Sequence, residues 1–278
     1  MIKPKNTIPL FKVFMSPTAK DKAGEVLDSG YIGQGPKVDE FEKQIGDYFG
    51  NNKVVTTNAG TSALHLALHL LKKPKPHWNE DVFQGVAFVS HNWPGIEDGD
   101  EVLATPLTCT ASNWPIVANN LKIKWVDIDP TTLNMCLKDL EKKMTPKTKA
   151  IMGVHWGGYP LDLDKIRDIR AKFRGKHGWA PALIEDGAHA FGSKYKGKYL
   201  GNHGNFVMNS LQAIKHITSV DGGLLYCPHD ELYERAKLLR WYGIDRNPKG
   251  RTDFRCEADI EEWGFKFHMN DVCAAIGM

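Results

Sequence analysis

The chain has 278 residues, 42% of them hydrophobic and 25% charged, with a net charge of +3. That is an ordinary globular composition, long enough for one large domain or for a large and a small one. The small net charge argues against a nucleic-acid protein, whose basic residues would dominate one face, and no apolar run approaches the ~18 residues of a membrane span.

The N-terminal stretch MIKPKNTIPLFKVFM has neither the apolar core nor the cleavage site of a secretory signal. Residues 18–28 and 37–49 have helical spacing, and SGYIGQGP between them is a loop by its glycines and proline. KVVTT is a short β-branched strand, and a helix follows from Thr61 to Leu71 with Asn58-Ala-Gly-Thr-Ser at the junction. Residues 73–99, rich in proline, tryptophan and polar residues, are expected to be an insertion. It is read as a plain surface loop, or alternatively as a cover or interface anchored by Trp78 and Trp93.

Strands and helices then alternate. EVLAT precedes a helix at 111–119, KIKWVDID one at 135–143, and KAIMGVHW one at 162–173. PALIEDGA leads into a hairpin at FGSKYKGKYLG, and NFVMNSL ends just before Lys215. GGLLYCP is the last strand, with a helix at 230–241. This alternation predicts an α/β fold, a mostly parallel sheet with helices on both faces. The five cysteines, Cys109, Cys136, Cys227, Cys256 and Cys273, are widely spaced without a C-x-x-C. That pattern suits reduced thiols in a cytoplasmic protein.

In such sheets ligands bind beyond the carboxyl ends of the strands. Asn58 to Ser62, Asp186, and Ser210 with Lys215 all fall there. A buried lysine with a lowered pKa attacks carbonyls to form a Schiff base. If the partner is pyridoxal phosphate, a carboxylate must keep its pyridine nitrogen protonated, and Asp186 is the candidate. The phosphate calls for a helix N-terminus and hydroxyls, which Gly60-Thr61-Ser62 and Ser210 supply. Each residue alone has a plain reading: a surface lysine, a capped helix start, a turn aspartate, and for His189 a satisfied loop residue. Metal, Ser-hydrolase and nicotinamide chemistry lack their motifs: there is no H-E-x-x-H, G-x-S-x-G or G-x-G-x-x-G.

Four ordered stretches, SGYIGQGPKVDEFEKQIGDYFG, TNAGTSALHLAL, IEDGAHAFGS and FVMNSLQAIKHITSVDGG, resemble the DegT/DnrJ/EryC1/StrS family. These are pyridoxal-phosphate-dependent aminotransferases of nucleotide-linked keto sugars. The likeness runs from about Gly30 to the end, apart from the insertion. It implies the type I fold of these transferases, like that of aspartate aminotransferase. Residues 1–256 would form the large cofactor-binding domain, and 257–278 the start of a C-terminal small domain of which little is present. It also implies that Lys215 carries the cofactor and shuttles the proton, and that Asp186 pairs with the ring nitrogen. His189 would lie near the ring oxygen, and Gly60, Thr61, Ser62 and Ser210 would hold the phosphate. The GYIGQGP loop would line the sugar-nucleotide side. GFKFHMND would cross into the neighbouring subunit's site, with Lys266 in place of a frequent Asn, reaching the partner's phosphate in a homodimer.

Cys109 stands where many relatives place an aromatic over the pyridine ring, so stacking must weaken or come from elsewhere. His155 matches a family histidine, to which no stacking role is assigned. The expected reaction moves an amino group from glutamate to a nucleotide-linked keto sugar, a 4-keto-6-deoxy sugar for surface polysaccharide. Two alternatives stay open: a catalytically incomplete cofactor-binding fragment or paralogue, and a sugar dehydratase. Lys215 argues against the second, because those relatives commonly replace it by His.

Overall fold

A computed structural model of the protein describes residue 9 and residues 11–73, 93–246 and 260–278. The elements in chain order are α1 (Ala19–Ser29), α2 (Pro36–Phe49), β1 (Val54–Thr57), α3 (Gly60–Leu70), β2 (Glu101–Ala104), α4 (Thr110–Ala118), β3 (Lys122–Trp125) and α5 (Leu137–Lys143). There follow β4 (Thr148–Val154), α6 (Leu163–His177), β5 (Ala182–Asp186), the hairpin β6–β7 (Lys194–Tyr195, Lys198–Tyr199), β8 (Phe206–Ser210), β9 (Gly223–Tyr226), α7 (Asp230–Leu239) and α8 (Asp271–Gly277).

Among the described residues seven strands form one sheet in the order β1-β9-β8-β5-β4-β2-β3. The neighbours from β8 to β3 pair in parallel, and β9 pairs antiparallel with both β1 and β8. Only β9 therefore runs against the rest. Strands such as ALIED and FVMNS are buried along their whole length, because helices cover both faces. Alternate residues feed two cores. Val55, Met152, Ile184 and Leu225 pack with residues of α3, α4 and α7. Val54, Ile151, Leu183 and Leu224 pack with residues of α2, α5 and α6.

Two long-range polar ties close the structure. The Asp271 carboxylate accepts the N–H groups of Gly35, Lys37 and Val38 at 2.7, 3.1 and 3.1 Å, capping α2 from α8. The fully buried Arg235 on α7 donates to Glu262 at 2.8 and 2.6 Å and to the Leu70 carbonyl at 2.8 Å, while His69 lies 3.3 Å from Glu262. Burial pushes the Glu262 carboxyl up, but hydrogen bonds and charge from Arg235 and His69 override it and hold the group at about 2.

The described end of the expected insertion departs from a surface loop. Trp93 and Ile96 are buried in the α3-side core, and Trp93 packs edge-on against Trp179 with ring centroids 5.5 Å apart. The Ile96 N–H donates to the Leu71 carbonyl at 3.1 Å, carrying the end of α3 onward. Residues 74–92, Trp78 among them, lie outside the described residues, as do Cys256 and the 256/257 domain boundary. Among the described residues no helix is long and apolar enough to cross a membrane.

Candidate active site

A cavity of about 360 Å³ opens at the carboxyl ends of β4, β5 and β8, against the start of α3 and α4. Gly60, Thr61, Cys109, Asp186, His189, Ser210 and Lys215 all line it. Lys215 is half-buried in the loop after β8. That loop closes on itself: the Leu211 N–H donates to the Gly222 carbonyl at 2.9 Å, and the Leu211 carbonyl accepts from Ser219 N–H at 3.0 Å and Thr218 Oγ1 at 2.9 Å.

Asp186 ends β5 and is 4% exposed. Its Oδ1 accepts the Ala188 N–H at 3.0 Å and its Oδ2 the Ser112 hydroxyl at 2.5 Å. His189 follows in the same turn and packs edge-on against Trp156, 5.7 Å between centroids. Partial burial, and then the Lys215 cation, lower its pKa below the ordinary imidazole value, so the ring is neutral at pH 7. Among the described residues lining the cavity there is no phenylalanine, tyrosine or tryptophan, and His189 is the only aromatic ring; Cys109, expected over the cofactor ring, also lines it.

No side chain caps α3, so its first-turn N–H groups open toward the cavity that Gly60 and Thr61 line. The fit is close at both flanking glycines. A Cβ on Gly60 would meet Met208 Sδ at 2.9 Å, and one on Gly223 would meet the Ala59 carbonyl at 2.6 Å. An uncapped helix N-terminus approached this closely by backbone is an anion cradle.

Ser62 and Lys266 are not among the residues lining this cavity. The Ser62 hydroxyl turns back to donate to Asn58 Oδ1 at 2.7 Å, because it sits one helical turn from that side chain. The Lys266 side chain, expected to reach a neighbouring subunit's site rather than this one, is exposed. The Lys266 backbone nevertheless braces the cradle: its carbonyl accepts from Asn58 Nδ2 at 3.2 Å, and the Phe267 carbonyl accepts the Asn58 N–H at 2.6 Å. Of the GYIGQGP loop, Gln34 lines a second cavity of about 400 Å³, with Arg240 and Arg246. His155 faces the other side of the sheet, fully buried, with Nδ1 accepting the Leu161 N–H at 3.0 Å and Nε2–H donating to Glu185 at 2.8 Å.

Three polar residues of the site went unnoticed in the sequence. Thr108 lines the cavity, and its Oγ1 lies 2.6 Å from Ser112 Oγ. Their signal was the hydroxyl-rich run TCTAS just beyond the end of β2. Asp221 also lines the cavity, its Oδ1 accepting the Gly222 N–H at 2.9 Å. It follows Val220, a β-branched residue held at φ +73°, a strained conformation that needs surrounding structure to persist. Among the described residues no group of His, Cys, Asp and Glu is arranged to hold a metal ion.

A primary amine, a buried carboxylate and an anion cradle thus share one cavity, and residues 15–77 and 85–278 match the model of the DegT/DnrJ/EryC1/StrS aminotransferase family. The chain belongs to that family. The match begins earlier than the resemblance read from Gly30 and, within 73–99, leaves only 78–84 unmatched. Among solved structures, AtS13 from Actinomadura melliaura is 49% identical, with a TM-score of 0.86 over 99% of this chain and 67% of its own. The sugar aminotransferase CalS13 from Micromonospora echinospora is 42% identical, with a TM-score of 0.84 over 98% of this chain and 67% of its own. The uncharacterized protein MJ1066 of Methanocaldococcus jannaschii is 32% identical over 98% of this chain. The chain spans 63% of that relative's length. Further solved relatives were captured in a PLP-form and with a PLP–glutamate adduct, so pyridoxal 5′-phosphate (PLP) is the cofactor of this family. The site fits that group: the cradle suits its phosphate, Asp186 its ring nitrogen and Lys215 its aldehyde.

Proposed function

We propose that the chain is the cofactor-binding core of an aminotransferase that moves an amino group from glutamate to a nucleotide-linked keto sugar. The observation that carries this reading is the placement of Lys215 and Asp186 on the wall of one cavity with the uncapped start of α3. In this reading the N–H groups of Gly60, Thr61 and Ser62 and the hydroxyl of Ser210 hold the phosphate. Asp186 would accept a hydrogen bond from the protonated ring nitrogen, Cys109 would lie against the ring face, and the neutral His189 would meet the ring oxygen. Bound pyridoxal phosphate supplies an electron sink for the carbon that loses its proton. Lys215 Nζ takes that proton from the donor's α-carbon and, in the second half, delivers one to the sugar carbon that gains the amine.

The finer expectations belong to the same reading. The acceptor is a 4-keto-6-deoxy sugar for surface polysaccharide, and the protein works in the cytoplasm. Two copies share their sites, with Lys266 reaching the neighbour's phosphate. Residues 1–256 form the large domain and 257–278 begin a small one.

The test is the visible spectrum of the purified protein with PLP, beside Lys215→Ala, followed by turnover with glutamate and a panel of nucleotide-linked keto sugars. The parent is expected to show the yellow band of lysine-bound cofactor and the variant to lose it. A folded parent without the band, or a loaded dimer that converts none of the sugars, would overturn the reading.

A further inference from the structure

Ser112 sits in the first turn of α4 and is 1% exposed. Its hydroxyl oxygen lies 2.5 Å from Asp186 Oδ2 and 2.6 Å from Thr108 Oγ1. A serine has one proton to give, and an ionised carboxylate only accepts. The Ser112 proton therefore points at Asp186, and the Thr108 hydroxyl donates to Ser112. This orients a chain of two hydroxyls from the cavity wall to the carboxylate.

The carboxylate depends on that chain. Burial leaves it almost out of reach of water, and its other oxygen is taken by Ala188 N–H in its own turn. The two donors come from different elements, the turn after β5 and the start of α4, so together they set the plane of the carboxylate. A short O–H···O⁻ bond is among the stronger hydrogen bonds. Helical serines usually point to solvent or bond back to their own helix; this one bonds across to β5.

We infer that Ser112 is the positioning residue of the cofactor-facing carboxylate, acting through Asp186 on the ring nitrogen of PLP, with Thr108 as the second link. The inference rests on the PLP reading given above. Ser112 itself touches no reacting atom.

The experiment measures dissociation constants of PLP and of its 1-deaza analogue, whose ring nitrogen is replaced by C–H. They are measured on the full chain and on Ser112→Ala, Ser112→Cys and Ser112→Thr, with thermal melting of each cofactor-free protein as the folding control. Cysteine keeps the volume but is a poor donor; threonine keeps the hydroxyl. Loss of a charge-assisted bond predicts about tenfold weaker PLP binding in the Ala and Cys variants, with Thr within about threefold of the parent. The analogue has no ring nitrogen to pair with Asp186, so its affinity should fall by less than about twofold. Equal weakening for PLP and analogue, or a Cys variant with parental PLP affinity, would reduce Ser112 to a packing residue and overturn the inference. Should Ser112→Ala not fold, the Cys variant carries the same comparison. If the parent binds PLP and every Ser112 variant binds it equally, the inference alone falls; if the folded parent binds no PLP, the aminotransferase reading falls with it.

Discussion

Glu185 and Asp186 are adjacent on β5, carry the same charge and are both buried, yet they face opposite sides of the sheet. Glu185 is sealed: one oxygen takes His155 Nε2–H at 2.8 Å, the other Asn205 Nδ2 at 2.7 Å, and it is 0% exposed. Asp186 also holds two donors but borders an open cavity. A carboxylate carries two oxygens with two lone pairs each. Where neighbours and packing close them all in, the group is part of the interior. Where one edge stays open to a cavity, the group can meet a ligand. Burial and charge alone do not separate the two roles; the open edge does.

The largest expected effect on this contrast is from Asp186→Ala. It should lower kcat by at least about 10³-fold, as for loss of a group engaged at the reacting centre. Its unfolding free energy should fall by only about 1 kcal/mol. Glu185→Ala should do the reverse. It leaves the His155 and Asn205 donors unmet and opens a void, a loss of about 3 kcal/mol of stability, with the spectrum of bound cofactor unchanged. Chemical denaturation and steady-state kinetics on both variants would break the contrast if each lost stability and activity in equal measure.

A third carboxylate sharpens it. Glu262 is closed by the Arg235 cation together with His69. Its folded value of about 2, against an ordinary 4.5, is depressed, so its contribution is full above pH 4.5 and is lost as pH falls toward 2. The shift corresponds to on the order of 3 kcal/mol. Denaturation midpoints at pH 6 and pH 3 should converge in Glu262→Gln relative to the parent; parallel lines for the two proteins would refute this assignment. The smallest effect is at the ring face. Cys109→Tyr should tighten PLP by about 1 kcal/mol through stacking, read by fluorescence titration, and an unchanged or weaker affinity would place the ring elsewhere in the cavity.

Much of the fold was legible because it rests on local patterning. Apolar runs bounded by turn residues mark strands buried on both faces, and their alternation with helical spacing leaves few arrangements other than a parallel sheet. Lys215, Asp186, Ser210 and Gly60 were legible for a related reason: they stand at strand ends, where such sheets bind ligands. Trp93 was misread because its tryptophan- and proline-rich surroundings have no period, and only contact with Trp179 makes it core. The direction of the Ser62 hydroxyl, which donates to Asn58, was not legible because composition says what a residue can donate, not which way a rotamer turns. Ser112 was missed because its partner is 74 residues away.

The order of strands and helices, the family, and the lysine, aspartate and glycines of the site follow from the sequence, since each depends on neighbours close along the chain. Which lone pairs are closed, as in Glu185, and which stay open, as in Asp186, was decided by the tertiary structure. So were the capping of α2 by Asp271, the clamp of Arg235 on Glu262 and the bond from Ser112 to Asp186. Those depend on the direction of side chains brought together from distant segments, and no local pattern encodes that direction.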